Sequence, residues 1–274
     1  MSPLAARPEL DSATSGGILT SVENSRFVTT SWDDGDKADL RIAELLSSSG
    51  IPGTFYVPVL PFREKKNALD AAALRSLSAL RFEIGAHSVS HRNLSKLSGQ
   101  ELENEVRPCK AALEDMVGHE VGMFCYPGGR YNREVLQALK SARYRGGRTV
   151  RMLATDLPVE PFEMAVSLQA YPHPVINFAK NLGRSRRLDC LKNGWAYRSA
   201  LSSWSKLAKQ MFDGVMRHGG VWHLYGHSWE IDQLDLWGEL EDVLNYVGGR
   251  ESVTYVCNGD LLNHAPARRV VGEK

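Results

Sequence analysis

The chain has 274 residues, of which 43% are hydrophobic and 24% charged, so it has the composition of a globular protein that can bury a sizeable core. Its formal net charge of +1 argues against bulk binding to nucleic acid or to a membrane surface. No stretch approaches the ~18 consecutive apolar residues that a membrane-spanning helix needs.

The N-terminal segment and the cysteines indicate the compartment. Residues 1–25 are rich in Ser, Gly, Pro and Ala, which predicts a flexible tail, and they lack the basic start and apolar core of a signal peptide. The cysteines are widely spaced without a C-x-x-C pair, so we expect reduced thiols. These features predict a cytoplasmic protein. We also predict a single domain over residues 26–265 and a C-terminal tail over residues 266–274.

From residue 26 onward, segments rich in β-branched and aromatic residues alternate with segments whose apolar residues recur at helical spacing. The predicted strands are RFVTTSW, GTFYVPVL, FEIGAHSVSH, VGMFCYPGG, GGRTVRM, GGVWHLYGHS and SVTYVCN. The predicted helices are KADLRIAELLSSSG, LDAAALRSLSAL, SGQELENEVRPCKAALEDMVG and NREVLQALKSARY. This alternation predicts an α/β fold with a parallel sheet, which is either open and doubly wound or closed into a barrel.

Polar residues stand where several of the predicted strands end. In chain order they are Asp33 with Asp34, His87 with His91, the Pro-Gly-Gly turn of residues 127–129, and His223 with His227. In both candidate architectures, functional residues gather where parallel strands end and loops begin. We therefore expect these groups to converge on one rim of the sheet.

The residue types in these groups favour a metal site. His87 and His91 are four residues apart, so both imidazoles can face one point from a helical turn or a tight loop. Together with one carboxylate they form a set that leaves positions open for water and substrate, which is typical of a catalytic metal. Asp33 and Asp34 suit a division of labour, because successive strand side chains diverge: one can bind the cation while the other takes a proton.

The motifs TTSWDDG, HSVSH and CYPGG and the late histidine-bearing strand, in this order, resemble those of the polysaccharide deacetylases with a NodB homology domain, carbohydrate esterase family four. The resemblance extends from about residue 26 to residue 230. It implies a distorted (β/α) barrel of seven or eight strands. It also implies a hydrolase that removes acetyl groups from acetylated sugars with one divalent metal ion, which is zinc or, alternatively, cobalt or nickel.

The resemblance assigns the first two motifs to the metal and the base. Asp33 matches the family's general base. Asp34 matches the metal-binding aspartate, and His87 and His91 match the two metal-binding histidines.

The remaining family positions are matched less closely. Gly128 falls on the residue whose backbone N–H stabilises the oxyanion, and the last motif supplies a histidine as general acid. We expect His227, at the end of its strand, in preference to the deeper His223. Cys125 stands where the family has an arginine that holds the base, and Arg148, after the next strand, is a candidate to supply that cation instead.

Two further groups complete the candidate site. The family's fourth motif, an aspartate that orients the acid histidine, is absent, and Glu230 and Asp232 are nearby candidates for its role. Tyr131 and Trp229 flank the predicted site and are expected to stack on a sugar ring, although aromatic residues beside strands more often belong to the core.

The sequence thus favours a metal-dependent hydrolase that deacetylates an amino sugar or oligosaccharide, with an acetylated saccharide or glycosylated small molecule as its partner. Cys125 and the missing aspartate leave open the hydrolysis of a non-sugar amide or cyclic imide on the same scaffold. A catalytically inactive carbohydrate-binding protein is a third possibility. It is disfavoured because a binding module has no need of Asp33 beside Asp34.

Overall fold

The computed structural model describes residues 25–62, 65–176 and 197–264. Nearly all of the two predicted tails, residues 1–25 and 266–274, lies outside these ranges, so the domain limits stay predictions. Three cysteines in the described residues, Cys109, Cys125 and Cys257, are buried free thiols.

One parallel sheet organises the described residues. Its strands are β1 (Arg26–Asp33), β2 (Thr54–Val57), β3 (Glu83–Ala86), β4 (Met123–Cys125), β5 (Gly146–Arg148), β6 (Leu168–Gln169), β7 (Gly220–Gly226) and β8 (Thr254–Tyr255). Their order is β5-β4-β3-β2-β1-β7-β6, and β8 pairs with the first half of β1. Every strand pair between them is parallel, so all the strands of the order end on the same side.

The sheet curls until its two edges approach each other. Leu168 and Gln169 pair with β7, while Met164, four residues before β6, forms a parallel bridge with Arg148 of β5. The chain from Met164 to β6 therefore contacts β5 at one end of the strand order and β7 near the other, so the curled sheet surrounds an interior. The predicted distorted (β/α) barrel is confirmed.

Helices cover the outside of this sheet. They are α1 (Asp39–Ser48), α2 (Ala71–Ala79), α3 (Gly99–Val117), α4 (Arg133–Ser141), α5 (Trp204–His218), α6 (Ser228–Gln233), α7 (Trp237–Val247) and α8 (Asn258–Leu261). The long helix α3 buries Leu102, Val106, Cys109 and Leu113, which recur every three or four residues and so share one face. Among the described residues, no helix is long and apolar enough to cross a membrane.

Strand β1 pairs with three others, β2, β7 and β8, and contributes side chains to both faces of the sheet. Because side chains alternate along a strand, Phe27, Thr29, Ser31 and Asp33 share one face. That face lines the interior: Phe27 packs there with Tyr56, Met123 and Cys125, among others. Asp33 therefore ends a row of inward-facing residues, and Asp34 follows it at the rim.

A buried polar network lies below the rim inside the barrel. His223 of β7 is 1% exposed, and its Nε2 lies 2.9 Å from the Ser31 hydroxyl and 3.4 Å from the Asn258 amide nitrogen. The Asn258 side chain also donates to Thr29 and accepts from the Tyr56 hydroxyl. Burial lowers the pKa of His223 to about 3, so this imidazole is neutral in the folded protein.

We expect His223→Gln to reduce the acid sensitivity of the fold. Below the ordinary histidine pKa of 6.5 the unfolded chain binds a proton at His223, whereas the folded protein does so only near pH 3. Stability contributed by this group is therefore complete above pH 6.5 and falls as the pH falls, by up to about 1.4 kcal/mol per pH unit. Urea unfolding at several pH values between 7.5 and 4.5 should give a shallower pH dependence for the variant. Parallel curves for the two proteins would contradict this role.

Candidate active site

A cavity of about 330 Å³ opens where the parallel strands end. Its lining contains seven of the predicted site residues: Asp33, Asp34, His87, His91, Gly128, His227 and Trp229. Four further lining residues, Phe62, Tyr126, Val150 and Tyr225, were not singled out from the sequence. The convergence of the first, third, fourth and late strand ends on one rim is thus observed in the structure.

Asp34 lies between the two histidines of the HSVSH segment. Its Oδ1 is 3.6 Å from Nε2 of His87 and 3.3 Å from Nε2 of His91, and its Oδ2 accepts a hydrogen bond of 2.9 Å from the Trp229 indole. Burial opposes ionisation of Asp34, but the close imidazoles of His91 and His87 and the hydrogen bond from Trp229 hold its pKa well below the usual range. The carboxylate is therefore ionised.

His87 is oriented by the neighbouring strand. Its Nδ1 lies 2.8 Å from the backbone carbonyl oxygen of Cys125, so the Nδ1–H donates there and the Nε2 lone pair faces Asp34. Burial lowers the pKa of His87 to about 4, which keeps the ring neutral. His91 is supported differently, because the ring of Phe62 packs against it with centroids 3.9 Å apart.

These three residues fit a divalent metal ion. Their ligand atoms lie within 4.8 Å of one another, and Asp34 Oδ1 is buried without a hydrogen-bond partner among the described residues. A neutral imidazole lone pair facing a carboxylate oxygen is an arrangement that a cation would complete. One carboxylate and two imidazoles also match the donor preference of zinc.

Asp33 has a separate set of partners. Its Oδ1 forms a buried ion pair with Nη2 of Arg148, and its Oδ2 accepts a weak hydrogen bond from the Cys125 thiol at 3.6 Å. Oδ2 is also 3.9 Å from Nε2 of His227, so it faces the cavity. His227 Nε2 is also 3.9 Å from Asp34 Oδ2, but the closest partners of the two adjacent carboxylates differ, which suits their proposed division of labour.

Arg148 reaches Asp33 from the strand beside Cys125. In the parallel pairing of β4 and β5, Cys125 and Arg148 are direct partners, so their side chains share a face of the sheet. The guanidinium is fully buried and lies over the rings of Tyr56 and Tyr225, at 5.2 and 4.7 Å from their centroids. Burial disfavours its charge, but Asp33 raises the pKa of Arg148 above its ordinary value. Arg148 is therefore not a solvated surface charge.

The Pro-Gly-Gly turn brings its backbone to the cavity. Gly128 and Gly129 have φ of 60° and 66°, in the left-handed region that favours glycine. A Cβ on Gly129 would collide with the Val150 side chain, so this close approach requires glycine as well. Gly128 lines the cavity. Unlike at Gly129, a Cβ at this position would meet no atom within 4 Å, so only the positive φ favours glycine here.

His227, and not His223, lines the cavity. Its Nδ1 lies 2.7 Å from Glu230 Oε2, which also accepts a 2.8 Å hydrogen bond from the Gln169 amide. Burial opposes protonation of His227, but the Glu230 hydrogen bond and the charge of Asp33 raise its pKa to about 9. Glu230 therefore orients this histidine, whereas Asp232 accepts a hydrogen bond from Trp237 instead.

Tyr131, one of the two residues expected to stack on a sugar ring, contacts Tyr126 and does not line the cavity. Its ring stacks on Tyr126, with centroids 4.6 Å apart, and its hydroxyl donates to Glu163. It stands behind Tyr126, which lines the cavity in its place, and is not itself part of the lining. Trp229 does line the cavity, but its indole N–H is engaged by Asp34.

Comparison with known proteins gives the same family as the motifs. The polysaccharide deacetylase family model matches residues 21–147. A Bacillus subtilis protein with the provisional name polysaccharide deacetylase YxkH is 24% identical over 46% of this chain and 45% of its own length. The peptidoglycan-N-acetylglucosamine deacetylase of Bacillus cereus is 27% identical over 44% of this chain and 55% of its own length. The chain thus spans about half the length of these two curated relatives.

A solved structure extends the likeness of the fold to most of the chain. It is that of a Mycobacterium smegmatis protein provisionally described as a polysaccharide deacetylase. It superposes with a TM-score of 0.63 at 15% identity, covering 91% of this chain and 96% of that one. At this identity the superposition supports the fold alone.

The fold and the cavity define an α/β barrel protein with a carboxylate–histidine cluster at the carboxyl ends of its strands. Within that class, residues 21–147 match the family model of the polysaccharide deacetylases. Over these residues the resemblance inferred from the motifs is confirmed.

We expect Arg148→Met to destabilise the protein, because it leaves the buried Asp33 carboxylate without its cation. Removing one partner of a buried ion pair costs about 3–5 kcal/mol. Since Cys125 is the direct strand partner of Arg148, adding Cys125→Arg to this variant should recover part of the loss. Urea unfolding of the wild type and the single and double variants measures both effects.

Asp33→Asn combined with Arg148→Met should reduce the free energy of unfolding by less than the sum of the two single changes. Strict additivity would show that the pair is not coupled.

Proposed function

We propose that this chain is a metal-dependent hydrolase that removes an acetyl group from an N-acetylated amino sugar or oligosaccharide. The observation that carries the proposal is the separation of the two adjacent carboxylates. Asp34 faces two imidazoles that fit a metal ion, and Asp33 faces a cation on one side and the open cavity on the other.

Asp34, His87 and His91 would hold the metal, with zinc the best match to these donors. When bound, the metal would lower the pKa of water and polarise the acetyl carbonyl. The tautomer of His87 is already fixed by the Cys125 carbonyl, so its Nε2 is available as a ligand.

The other side chains of the cavity would carry out the proton transfers. Asp33 would take a proton from the attacking water, while Arg148 holds its Oδ1 and leaves Oδ2 towards the cavity. The water oxygen would bond to the acetyl carbon as the π electron pair of the carbonyl moves to its oxygen, and the Gly128 backbone N–H would donate to the resulting oxyanion. His227, oriented by Glu230, would protonate the amine as the carbon–nitrogen bond breaks and acetate leaves.

The cavity lining suits a sugar ring. Phe62, Tyr126, Tyr225 and Trp229 surround the carboxylates with aromatic surface, and the volume of about 330 Å³ lies within the range of small-molecule sites.

We further propose a cytoplasmic location. There the substrate would be a soluble oligosaccharide, a nucleotide- or lipid-linked sugar or a glycosylated metabolite.

The direct test is acetate release from a panel of N-acetylated mono- and oligosaccharides with zinc, cobalt or nickel added to the metal-free protein. The panel also contains O-acetylated sugars, non-sugar acetamides and cyclic imides. Release from amino sugars supports the proposal, whereas turnover of the imides alone would favour the alternative hydrolase. Saccharide binding without turnover of any substrate would identify a binding protein.

We expect Asp33→Asn to lower kcat by about 10²–10⁴-fold, the usual contribution of general base catalysis, while zinc stays bound. The physical reason is that the metal-facing carboxylate belongs to Asp34, and the amide keeps nearly the same shape. Acetate release and zinc content are measured on the same samples. Unchanged turnover would refute the assignment of the base.

His87→Ala should instead remove the metal, because it deletes a neutral imidazole that faces Asp34. Zinc content after dialysis, measured by atomic absorption, should fall from one ion per chain to well below it. His223→Ala is the matched control, since that buried histidine lies outside the cavity lining. Retention of one zinc per chain by His87→Ala would contradict the ligand set.

A further inference from the structure

The loop that carries both histidines has an unusual backbone. Ser88 and His91 have φ of 65° and 56°, in the left-handed region that residues other than glycine rarely adopt. Such residues cost of order 1 kcal/mol or more each, and they persist only where the surroundings fix them. The conformation of residues 87–91 is therefore held by contacts from outside the loop.

One set of contacts comes from the segment after β2. The backbone N–H groups of Val59 and Leu60 donate to the carbonyl oxygens of Ser88 and Val89, at 3.3 and 2.8 Å. Within the loop, the Ser88 hydroxyl accepts a 2.9 Å hydrogen bond from the His91 backbone N–H. These bonds hold one side of the loop.

The opposite side is held by Glu105 of α3. The backbone N–H of Ser90 donates to Glu105 Oε2 at 2.8 Å, and the Ser90 hydroxyl donates to Oε1 in a short hydrogen bond. The Val89 N–H donates to the Glu105 backbone carbonyl oxygen at 3.1 Å. Glu105 thus receives three hydrogen bonds from two consecutive loop residues.

The burial of Glu105 makes these bonds important. The residue is 6% exposed, and in the described ranges its carboxylate forms no ion pair with Lys or Arg. A buried carboxylate is costly unless hydrogen bonds compensate it, so the loop and Glu105 stabilise each other. Replacing the Glu105 carboxylate would weaken its hydrogen bonds with the Ser90 backbone N–H and hydroxyl, and would so loosen the chain one residue before His91.

We propose that Glu105 is a positioning residue for the metal site. It fixes the turn at Ser90 so that Nε2 of His91 faces Asp34, and it thereby sets the metal affinity without touching metal or substrate. This inference rests on the proposed metal-binding role of Asp34, His87 and His91, but not on the identity of the substrate.

The test is the zinc affinity of the metal-free protein, measured by competition with a chromophoric chelator. Loss of a group that orients metal ligands typically weakens metal binding 10–100-fold. We expect Glu105→Gln to weaken zinc binding by about 10-fold or more, and Ser90→Ala, which removes only the hydroxyl donor, to do so by less. Glu103→Gln is the matched control, because Glu103 lies on the same helix and pairs with Arg107 instead.

Circular dichroism and thermal unfolding of the metal-free variants establish that each one is folded. Should Glu105→Gln fail to fold, Ser90→Ala carries the test. Wild-type zinc affinity in the folded Glu105→Gln protein, or in Ser90→Ala where that variant decides, overturns the proposal. A protein that binds zinc with this Glu105 dependence but releases no acetate from any substrate would leave the positioning role intact and refute the proposed activity.

Discussion

The central constraint on this site is that two carboxylates joined by one peptide bond are both buried at the end of β1. Asp33 and Asp34 are 2% and 6% exposed, so neither charge is compensated by bulk water. The chain turns at Asp34, whose φ is 80°, so that the closest partners of the two carboxylates differ, although His227 Nε2 lies 3.9 Å from both. Asp33 meets a guanidinium, and Asp34 meets two imidazoles and an indole N–H. The proposed division between base and metal ligand follows from this separation.

The ion pair of Asp33 depends on the register of the parallel sheet. Cys125 occupies the place of the arginine in the related motif, and the cation comes from Arg148, its direct partner on β5. Strand neighbours in register present their side chains to the same face, so a guanidinium from either strand can reach the same carboxylate. The small thiol leaves room for Arg148 and still donates weakly to Asp33. The tyrosine rings beside Arg148 form cation–π contacts with the buried guanidinium, in place of contacts with water.

Much of the fold and site was predictable because local patterns determine it. The alternation of strands and helices gave the parallel sheet, and parallel strands bring Asp34, His87 and His91 to one rim whatever the details of the loops. The exceptions depend on side-chain direction after a strand has ended. Tyr131 follows a turn that directs it behind Tyr126, and Phe62 reaches His91 from a loop without any periodic pattern. The choice of Glu230 over Asp232 required helix geometry, because only the residue three positions after His227 faces its ring.

The family match ends at residue 147, immediately before Arg148. Every residue proposed to bind the metal lies within the matched part, whereas Arg148, Gln169, His227 and Glu230 lie beyond it. The matched part thus contains the proposed metal site, and the rest of the chain contains the groups proposed to orient the base and the acid. A carboxylate and two imidazoles must meet at fixed distances to hold a metal. An ion pair or a hydrogen bond to a histidine can be supplied from several directions. In this chain the cation beside Asp33 accordingly comes from Arg148 on β5 and not from residue 125 on β4.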